Sequence, residues 1–520
     1  MPVAVLGAVS RRRASFLLLA FCVVFASTEA LSADPPEPSK ADKRAGAKAA
    51  NQRVTRADLA AAYLRLEQAY FANPPQGERN TEVNKTFDQA TLAFFTGKNA
   101  DAVRALSELA LSLGSQPASP VRRGLMSLKV IVEPQVWSTA QAPAAQAKLL
   151  SIYEAPLEAP LDLPLKLRLI GPTDKAVFER ELKAQVGPGL LVDQTLPLEV
   201  KPEQIPPGLY RVELQAGDEP PLTCTQVSVV GGASLSELRA ANEKRLAAIK
   251  PAGEELAAAL KSCQARNALL DEKASSDNST QFLADFHQLS REIEAEVTLL
   301  EQGKDPYSRR AGDYWRVLGE GRSEIPLRIY APAATTSETP SPLLIVLHGA
   351  GGDENMFLEG YGVGMIKRIA DKHGVLIASP STNKFGGNPA HFDKLLASLN
   401  SEYKIDPQRI YVLGHSMGAG ATAALARALP DKIAAACCVA GGGGYQGKNG
   451  IPPLLAIVAE VDGVIPPAGL IAAAEKAKEA GAPVELLEMP GFGHTLVVGS
   501  TLERAVDWLL GHKLAPKPAK

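Results

Sequence analysis

Cysteine is scarce in this sequence, with five residues in 520, and Cys22 among them lies in an apolar run near the N-terminus. So few cysteines exclude a fold held together by disulfides, and a hydrophobic content of 46% predicts ordinary folded cores instead. Cys437 and Cys438 are adjacent in an apolar run, where two small core residues are favoured over a vicinal disulfide. A disulfide between Cys224 and Cys263 is left as an open alternative. Its only support is that the number of cysteines outside the N-terminal run is even.

An excess of charge of either sign is also absent. Lys and Arg number 55 against 57 for Asp and Glu, and the two signs are interspersed, which excludes the basic patch of a nucleic-acid-binding protein. Aromatic residues make up only 5% and form no array that would indicate sugar binding. No histidine or cysteine spacing matches a metal site, so neither a metal nor another cofactor is expected.

Long apolar runs are limited to residues 15–26. Three arginines (11–13) precede this run and small residues follow it, a pattern that predicts a cleaved signal peptide over residues 1–33. The run is short for a transmembrane helix, and an uncleaved anchor is the alternative. The protein is therefore expected to be exported (periplasmic, secreted or associated with the cell envelope), with no membrane span after cleavage.

The remaining length is enough for two or three domains with full cores. Apolar residues at three- and four-residue spacing predict helices in two regions, and short β-like runs separated by Pro and Gly lie between them. The segment IPPGLYRVELQAGDE resembles the closing hairpin of an immunoglobulin-like sandwich. Ser234 and Glu237 form a capping-box pattern, and the polar run at 275–280 is an expected break between helices. The predicted units are a disordered tether (34–53), a helical segment (54–124), an immunoglobulin-like β-sandwich (125–232), a second helical segment (233–303), a catalytic α/β domain (304–513) and a tail (514–520).

From about residue 314 onwards, short apolar runs alternate with helix-forming segments. Strands that alternate with helices at this spacing predict a mostly parallel sheet covered by helices, which is the α/β class. In such sheets, ligands bind beyond the carboxyl ends of the strands. The expected fold is thus a C-terminal α/β domain preceded by a helical segment, a β-sandwich-like module and a helical linker.

One glycine-rich segment stands at such a strand end. GHSMG (residues 414–418) follows the β-like run of residues 409–413 and leads into a helix-forming stretch. A serine on a sharp strand-to-helix turn needs neighbours without side chains, which explains Gly414 and Gly418. The free N–H groups at the start of the next helix would face an anion formed above Ser416. Ser416 is therefore the candidate nucleophile.

A serine hydroxyl needs a general base, and the base needs an acid that orients it. Asp462 lies in the turn after the apolar run PLLAIVAE, and His494 lies in the glycine-rich turn after PVELLEMP. Ser416, Asp462 and His494 therefore follow one another in the order nucleophile, acid and base, each just beyond a predicted strand. Glu460, two residues nearer the strand, competes with Asp462 for the role of the acid.

A second glycine-rich loop, LHGAGGD, follows the first central strand. Such a loop can point the N–H of Ala350, with Gly349 as its neighbour, at an oxygen that the N–H of Met417 also faces. Two donors of this kind would stabilise the negatively charged oxygen of a tetrahedral intermediate. His348 is favoured as a brace for the loop rather than as a catalyst.

Residues 314–512 resemble an α/β-hydrolase, in particular the secreted esterases that include feruloyl esterases and poly(3-hydroxybutyrate) depolymerases. The matching segments are LLIVLHGAGGDE, IADKHGVLIASP, YKIDPQRIYVLGHSMGAG, AEVDGVIPP and GFGHT. The resemblance implies a nucleophile, an acid, a base and two oxyanion donors at Ser416, Asp462, His494, Ala350 and Met417. The chain departs from these esterases just before the acid, where His-Gly is frequent and Val-Ala-Glu stands here, and it lacks their large aromatic inserts.

The sequence therefore predicts an exported serine hydrolase that cleaves carboxylic esters, polymer- or carbohydrate-linked esters included, through an acyl-enzyme intermediate. A serine peptidase of the prolyl-oligopeptidase type is an alternative, as is acyl transfer to an acceptor other than water. A non-catalytic binding protein with an inert hydrolase domain is an alternative of a different class. The oligomeric state is left open. The role of residues 54–302 is left open between positioning a polymer, covering the active site as a lid and binding a neighbouring protein.

Overall fold

The computed structural model describes residues 51–140, 144–271, 285–319, 324–446 and 450–515. The predicted signal peptide, most of the predicted tether, the polar run at 275–280 and the last five residues of the tail lie outside the described residues. None of the helices in the described ranges is both long enough and apolar enough to cross a membrane. In chain order these ranges form helices, a β-sandwich, further helices and an α/β domain, which is the order predicted from the sequence.

The first region consists of helices. The side chain of Thr55 accepts a hydrogen bond from the N–H of Asp58, whose carboxylate accepts from the N–H of Thr55, and this capping box fixes where the first helix begins. The helices are α1 (Arg56–Ala72), α2 (Gly77–Phe95), α3 (Asn99–Ser112) and α4 (Pro120–Met126).

The chain is already helical at residues 51–53, which corrects the C-terminal end of the tether expected over residues 34–53. The side chain of Asn51 donates to the carbonyl of Gly97 (2.7 Å) and accepts from the N–H of Ala100 (3.1 Å). These bonds tie the segment to the connection between α2 and α3. Residues 51–53, which the composition placed in the tether, therefore belong to the helical region.

The second region is a β-sandwich, as predicted. Its strands are β1 (Leu128–Glu133), β2 (Val136–Ser138), β3 (Gln146–Ser151), β4 (Leu161–Ile170), β5 (Ala176–Val186), β6 (Asp193–Pro197), β7 (Gly208–Gln215) and β8 (Leu222–Val230). One sheet has the order β1-β3-β6 and the other β2-β8-β7-β4-β5, and the two share one core. β7 and β8 form an antiparallel hairpin, and the hydroxyl of Tyr210 donates to the carbonyl of Pro206 (2.6 Å). A tyrosine that bonds back to the preceding turn in this way is typical of immunoglobulin-like sandwiches.

In the third region, the residues that the structure describes form three helices: α5 (Leu235–Ala248), α6 (Glu254–Ala268) and α7 (Phe286–Glu301). Ser234 and Glu237 cap α5 in the predicted capping box. Inside this region the buried guanidinium of Arg266 donates to Glu296 (3.0 Å) and to the carbonyl of Trp315 (2.5 Å). Since Trp315 lies on the first strand of the α/β domain, these bonds of Arg266 attach the helical linker to the sheet.

The fourth region is the α/β domain. Its strands are β9 (Gly312–Leu318), β10 (Ile325–Ala331), β11 (Ser341–Leu347), β12 (Leu376–Pro380), β13 (Ile405–His415), β14 (Ala435–Val439), β15 (Leu454–Ala459) and β16 (Val484–Met489). The sheet has the order β16-β15-β14-β13-β11-β12-β10-β9. The six strands from β11 to β16 run parallel, whereas β9 and β10 pair antiparallel at one edge.

Helices cover both faces of this sheet. They are α8 (Met365–His373), α9 (Thr382–Phe385), α10 (Pro389–Glu402), α11 (Met417–Ala428), α12 (Pro467–Glu479) and α13 (Leu496–Leu510). Apolar side chains of α8 and α13 pack on one face, and those of α10, α11 and α12 pack on the other. Successive side chains of each strand therefore point into apolar cores on opposite faces of the sheet, as in other buried parallel strands.

All four cysteines of the described residues are free thiols. Cys437 and Cys438 lie in β14 and are fully buried on opposite faces of the sheet, as small core residues. The bridge between Cys224 and Cys263 that the sequence left open is not formed.

The first helical region lies between the β-sandwich and the α/β domain. Its apolar core also contains Leu496 from α13 and Tyr153 from the sandwich. On the sandwich side, the ammonium group of Lys129 contacts the carboxylate of Asp58 at 2.6 Å. The helices α1 to α3 are thus held from both sides.

Candidate active site

Ser416 lies at the junction of β13 and α11 with φ 53° and ψ −115°. This backbone conformation is strained for a residue with a side chain, and it is the conformation of a nucleophile elbow. The N–H of Ser416 donates to the carbonyl of Val439 (2.9 Å), which ties the turn to β14. The surrounding sheet thereby holds the serine in a conformation that it would not adopt alone.

The glycines around Ser416 are required by close packing. A Cβ atom at Gly414 would lie 2.1 Å from the carbonyl oxygen of Gly418, and one at Gly418 would lie 1.9 Å from that of Leu347. A Cβ atom at Gly441, just after β14, would lie 2.6 Å from the carbonyl oxygen of Ser416. Any side chain at these positions would displace the elbow, which gives the G-x-S-x-G spacing a steric cause.

His494 lies in the turn before α13, and Asp462 lies in the turn after β15. Nδ1 of His494 is 2.8 Å from Oδ2 of Asp462. The other carboxylate oxygen of Asp462 accepts from two backbone N–H groups of its own turn, at 2.8 and 2.7 Å. Both side chains are buried, so these charge-assisted bonds replace the water that the carboxylate loses. Glu460, the competing acid, is exposed and accepts from the N–H of Gly491 instead.

The loop after β11 faces the elbow. The N–H of Gly352 donates to the carbonyl of Gly349 (3.2 Å), and this turn leaves Ala350 at its tip. A Cβ atom at Gly349 would lie 3.2 Å from Cβ of Ser416, so the loop and the elbow are in contact. Met417 is the first residue of α11, and its N–H has no acceptor within the helix. Ala350, on this loop, and Met417, next to Ser416, therefore both lie close to Ser416, and they are the residues whose N–H groups were expected to be the oxyanion donors.

The strand order, the sharp turn at Ser416 after β13 and the turns after β15 and β16 together identify the fold of this domain. The C-terminal domain has the α/β-hydrolase fold.

Neither a protein-family model nor a curated protein matches the chain. Solved structures similar to it include S-formylglutathione hydrolase from Staphylococcus aureus, at 18% identity over 39% of this chain and 98% of that protein (TM-score 0.32). A thermophilic esterase from the planctomycete Thermogutta terrifontis matches at 18% identity over 40% of this chain and 95% of that protein (TM-score 0.33). A thermostable esterase matches at 15% identity over 74% of this chain and 99% of that protein (TM-score 0.34).

Two further histidines support the hydrolase site. Nδ1–H of His348 donates to the carbonyl of the next residue (2.8 Å), and its Nε2 accepts from the N–H of Thr382 (2.9 Å). Nε2–H of His415 donates to the carbonyl of His494 (2.9 Å), and its Nδ1 accepts from the hydroxyl of Tyr361 (2.7 Å). Burial lowers the pKa of His348 to about 4 and that of His415 well below its usual value, so both rings are neutral braces.

A part of the site that the sequence analysis missed comes from α2. The carboxylate of Asp88 accepts hydrogen bonds from the N–H of Gly463 (2.8 Å) and from the N–H of His494 (3.0 Å). On the two preceding turns of α2, Asn84 and Asn80 bond to backbone groups of the same histidine loop at 2.8 and 3.2 Å. One helix outside the hydrolase domain thus joins the loop after Asp462 to the loop of His494. The only signal of this contact in the sequence was the four-residue spacing of Asn80, Asn84 and Asp88, which places the three polar side chains on one face of α2.

Helix α1 contacts the site from the other side. Arg56, its first residue, forms an ion pair with Asp353 beside the glycine-rich loop (2.9 Å). Further along, the buried carboxyl of Glu67 accepts from the hydroxyl of Tyr63 (2.7 Å) and from the N–H of Gly362 (3.2 Å). Burial raises the pKa of Glu67 to about 8, so this carboxyl is mostly neutral at pH 7.

Replacing Glu67 by glutamine is expected to make the free energy of unfolding less dependent on pH. Folding raises the pKa of this carboxyl from 4.5 to about 8, so its stabilising contribution is complete below pH 4.5 and is lost as the pH rises through about 8. The glutamine side chain stays neutral and offers an acceptor to the N–H of Gly362 and a donor to the hydroxyl of Tyr63. The free energy of unfolding of the variant, relative to that of the wild type, should therefore increase between pH 5 and pH 8 by on the order of 3 kcal/mol.

Denaturant unfolding at pH 5, 6.5 and 8 measures this gain. Glu82→Gln, at an exposed position of α2, is the matched control and should show a constant difference from the wild type. A constant difference for Glu67→Gln as well would mean that folding does not raise the pKa of Glu67.

The loops of the hydrolase domain and the helices α1 to α3 border a cavity of about 360 Å³. Ser416, His494, Ala350 and Tyr361 line it on the hydrolase side. The helices supply the opposite wall, which includes Leu59, Tyr63, Leu64, Phe87, Phe94 and Leu106. Within the described ranges, no group of three or more His, Cys, Asp or Glu side chains is arranged to hold a metal ion. The first three helices of the N-terminal half therefore lie over the site.

Proposed function

We propose that this protein is an exported serine hydrolase that cleaves carboxylic esters through a triad of Ser416, His494 and Asp462. The observation that carries the proposal is the 2.8 Å contact between His494 Nδ1 and the buried Asp462, on the same cavity as the strained Ser416. Export is part of the proposal because of the signal-peptide pattern over residues 1–33.

The reaction proposed for this geometry has two halves. The hydroxyl oxygen of Ser416 attacks the ester carbonyl while Nε2 of His494 takes its proton. The N–H groups of Ala350 and Met417 stabilise the resulting oxyanion, and the intermediate expels the alcohol, which His494 protonates. Water then attacks the acyl-enzyme while His494 takes one of its protons; the bond between the acyl carbon and the oxygen of Ser416 breaks, and His494 returns the proton to that oxygen as the acid leaves. Throughout, Asp462 accepts from Nδ1–H of His494, which keeps Nε2 free for the proton of the serine.

Esters are favoured over peptides for three reasons. The resemblance of residues 314–512 is to secreted esterases. The described part of the N-terminal half consists of helices and one eight-stranded sandwich, whereas prolyl-oligopeptidase relatives carry a large propeller of repeated blades. A peptide chain would also bring several polar amide groups into a cavity whose helical wall is mostly apolar.

The test is to combine turnover with covalent labelling of the mature protein. We expect hydrolysis of p-nitrophenyl acetate and butyrate, and loss of activity when an alkyl fluorophosphonate forms a bond to the oxygen of Ser416 with release of fluoride. Mass spectrometry of the peptide that contains Ser416 locates the adduct. A folded protein that neither hydrolyses these esters nor takes up the label would overturn the proposal in favour of a non-catalytic role.

Replacing Asp88 by alanine is expected to lower kcat for ester hydrolysis by about ten- to a hundredfold with little change in KM. The reason is that the N–H groups of His494 and Gly463 lose their common acceptor, and a small displacement of a catalytic group has a cost of this size. Asp88→Asn keeps one acceptor oxygen and should lie between the alanine variant and the wild type. Steady-state kinetics on p-nitrophenyl butyrate measures both.

Gln89→Ala, at the exposed neighbouring position of α2, is the matched control and should keep the kcat of the wild type. Circular dichroism shows whether each variant is folded. If folded Asp88→Ala retains the kcat of the wild type, α2 does not position the base.

A further inference from the structure

The cavity above Ser416 has two unlike walls. The hydrolase side presents backbone N–H groups and the reacting side chains, whereas the helical side presents apolar side chains from all three N-terminal helices. Those central to the argument are Ala60 on α1, Phe94 on α2 and Ala102 on α3. A group bound opposite the nucleophile therefore lies against carbon atoms rather than hydrogen-bonding groups.

The charged side chains that line the cavity form an ion pair with each other. Apart from His494, the lining contains one cation and one anion, Arg56 and Asp353, and they form an ion pair at 2.9 Å. A charged substrate group would have to displace one partner of this pair or enter the apolar side, and both are unfavourable. The cavity therefore favours a neutral group.

Phe94 connects the apolar wall to the reaction centre. A Cβ atom at Gly351, which follows Ala350 in the oxyanion loop, would lie 2.5 Å from Cε1 of Phe94. The aromatic ring therefore packs directly on the backbone of that loop. A substrate whose carbonyl oxygen is bound at Ala350 would therefore lie next to this ring.

The size of the cavity limits what it holds. Its 360 Å³ is at the small end of the range for ligand pockets, which is about 300–1,000 Å³. This volume suits a single alkyl chain or one ring.

We propose that α1 to α3 form a binding site for the apolar group of a small, neutral ester, and that Ala60 and Phe94 set the length of that group. The proposal rests on the proposed function and adds the class of substrate. It gives the helices a role in specificity.

Two series of esters test this site and distinguish the acyl from the alcohol side. One series is p-nitrophenyl esters from acetate to decanoate, and the other is acetates of alcohols from ethanol to decanol. In one series, kcat/KM is expected to rise about fourfold for each added methylene until the cavity is filled, and then to fall. The series that rises identifies which side of the ester the helices bind.

Two variants change the wall in opposite directions. Ala60→Phe fills the cavity, so the ratio of kcat/KM for the octyl substrate to that for the shortest substrate should fall at least tenfold. Phe94→Ala enlarges the cavity, so the optimum should move to a longer chain. Leu92→Ala, on the same helix but 42% exposed and outside the cavity lining, is the matched control and should leave the ratio within about twofold.

Failure of this proposal can be told apart from failure of the proposed function. If short esters are hydrolysed but both series are flat, the serine hydrolase stands and the apolar site is wrong. A binding measurement needs no turnover: calorimetry with the Ser416→Ala protein should give tighter binding of methyl octanoate or of octyl acetate than of methyl acetate. Equal binding of all three, or an unchanged chain-length ratio in both wall variants, would overturn the apolar site.

Discussion

Ser416→Ala is expected to lower kcat for p-nitrophenyl butyrate by on the order of a millionfold, the size of effect found when the nucleophile of a serine triad is removed. Ser416 lies on the same cavity as His494, and the two tyrosine hydroxyls that also line it, those of Tyr63 and Tyr361, are already bonded to Glu67 and His415. The alanine keeps the β-carbon and the same backbone conformation, so the fold and the cavity should persist. Activity is measured with enough protein to detect the small residual rate that oxyanion donors alone support.

The matched control is Ser401→Ala, a serine that lies exposed on α10. It should keep the activity and the melting temperature of the wild type. Retention of more than about 1% of the wild-type kcat in Ser416→Ala would mean that the hydrolysis does not use Ser416 as its nucleophile.

The sequence was sufficient to predict the parts of the site that depend on local pattern. Ser416, Asp462 and His494 each follow an apolar run, and a parallel sheet brings the carboxyl ends of such runs to one edge. The glycines at 414 and 418 are required within the turn itself, so their spacing was visible without a partner. Even the choice between Asp462 and Glu460 followed from position, since the side chain further into the turn meets the histidine.

The parts that could not be predicted depend on contacts between distant segments. Asp88 bonds to the N–H of His494 across 406 residues, and a polar side chain on an amphipathic helix is ordinarily expected to face water. Nothing in the sequence of α2 specifies that this face is buried against two loops of another domain. The pairing of Arg56 with Asp353, 297 residues apart, was hidden for the same reason.

The absence of aromatic inserts in the hydrolase domain gave no indication that aromatic side chains from another region line the cavity. Its aromatic wall comes from Tyr63, Phe87, Phe94 and Phe95, which precede the hydrolase domain in the chain. At the level of sequence these residues were only the apolar positions of helices with an undecided role. The role proposed for them depends on the position of α1 to α3, which the sandwich holds through Lys129 and the hydrolase domain holds through Leu496.

Asp462→Asn is expected to lower kcat by about ten-thousandfold, although asparagine has nearly the same shape as aspartate. One carboxylate oxygen of Asp462 accepts from two backbone N–H groups, so the amide oxygen of the asparagine would take that place. The NH₂ group would then face Nδ1 of His494 and donate to it. The histidine would carry its proton on Nε2, where it cannot accept the proton of Ser416.

Glu460→Gln provides the matched comparison, because it makes the same chemical change two residues away at an exposed position. It should alter kcat by less than about twofold, since Glu460 accepts only from the N–H of Gly491. The melting temperature of Asp462→Asn should stay close to that of the wild type, because the two backbone bonds persist. A kcat for Asp462→Asn within tenfold of the wild type would remove Asp462 from the triad, and a large loss in Glu460→Gln would transfer the role of the acid to Glu460.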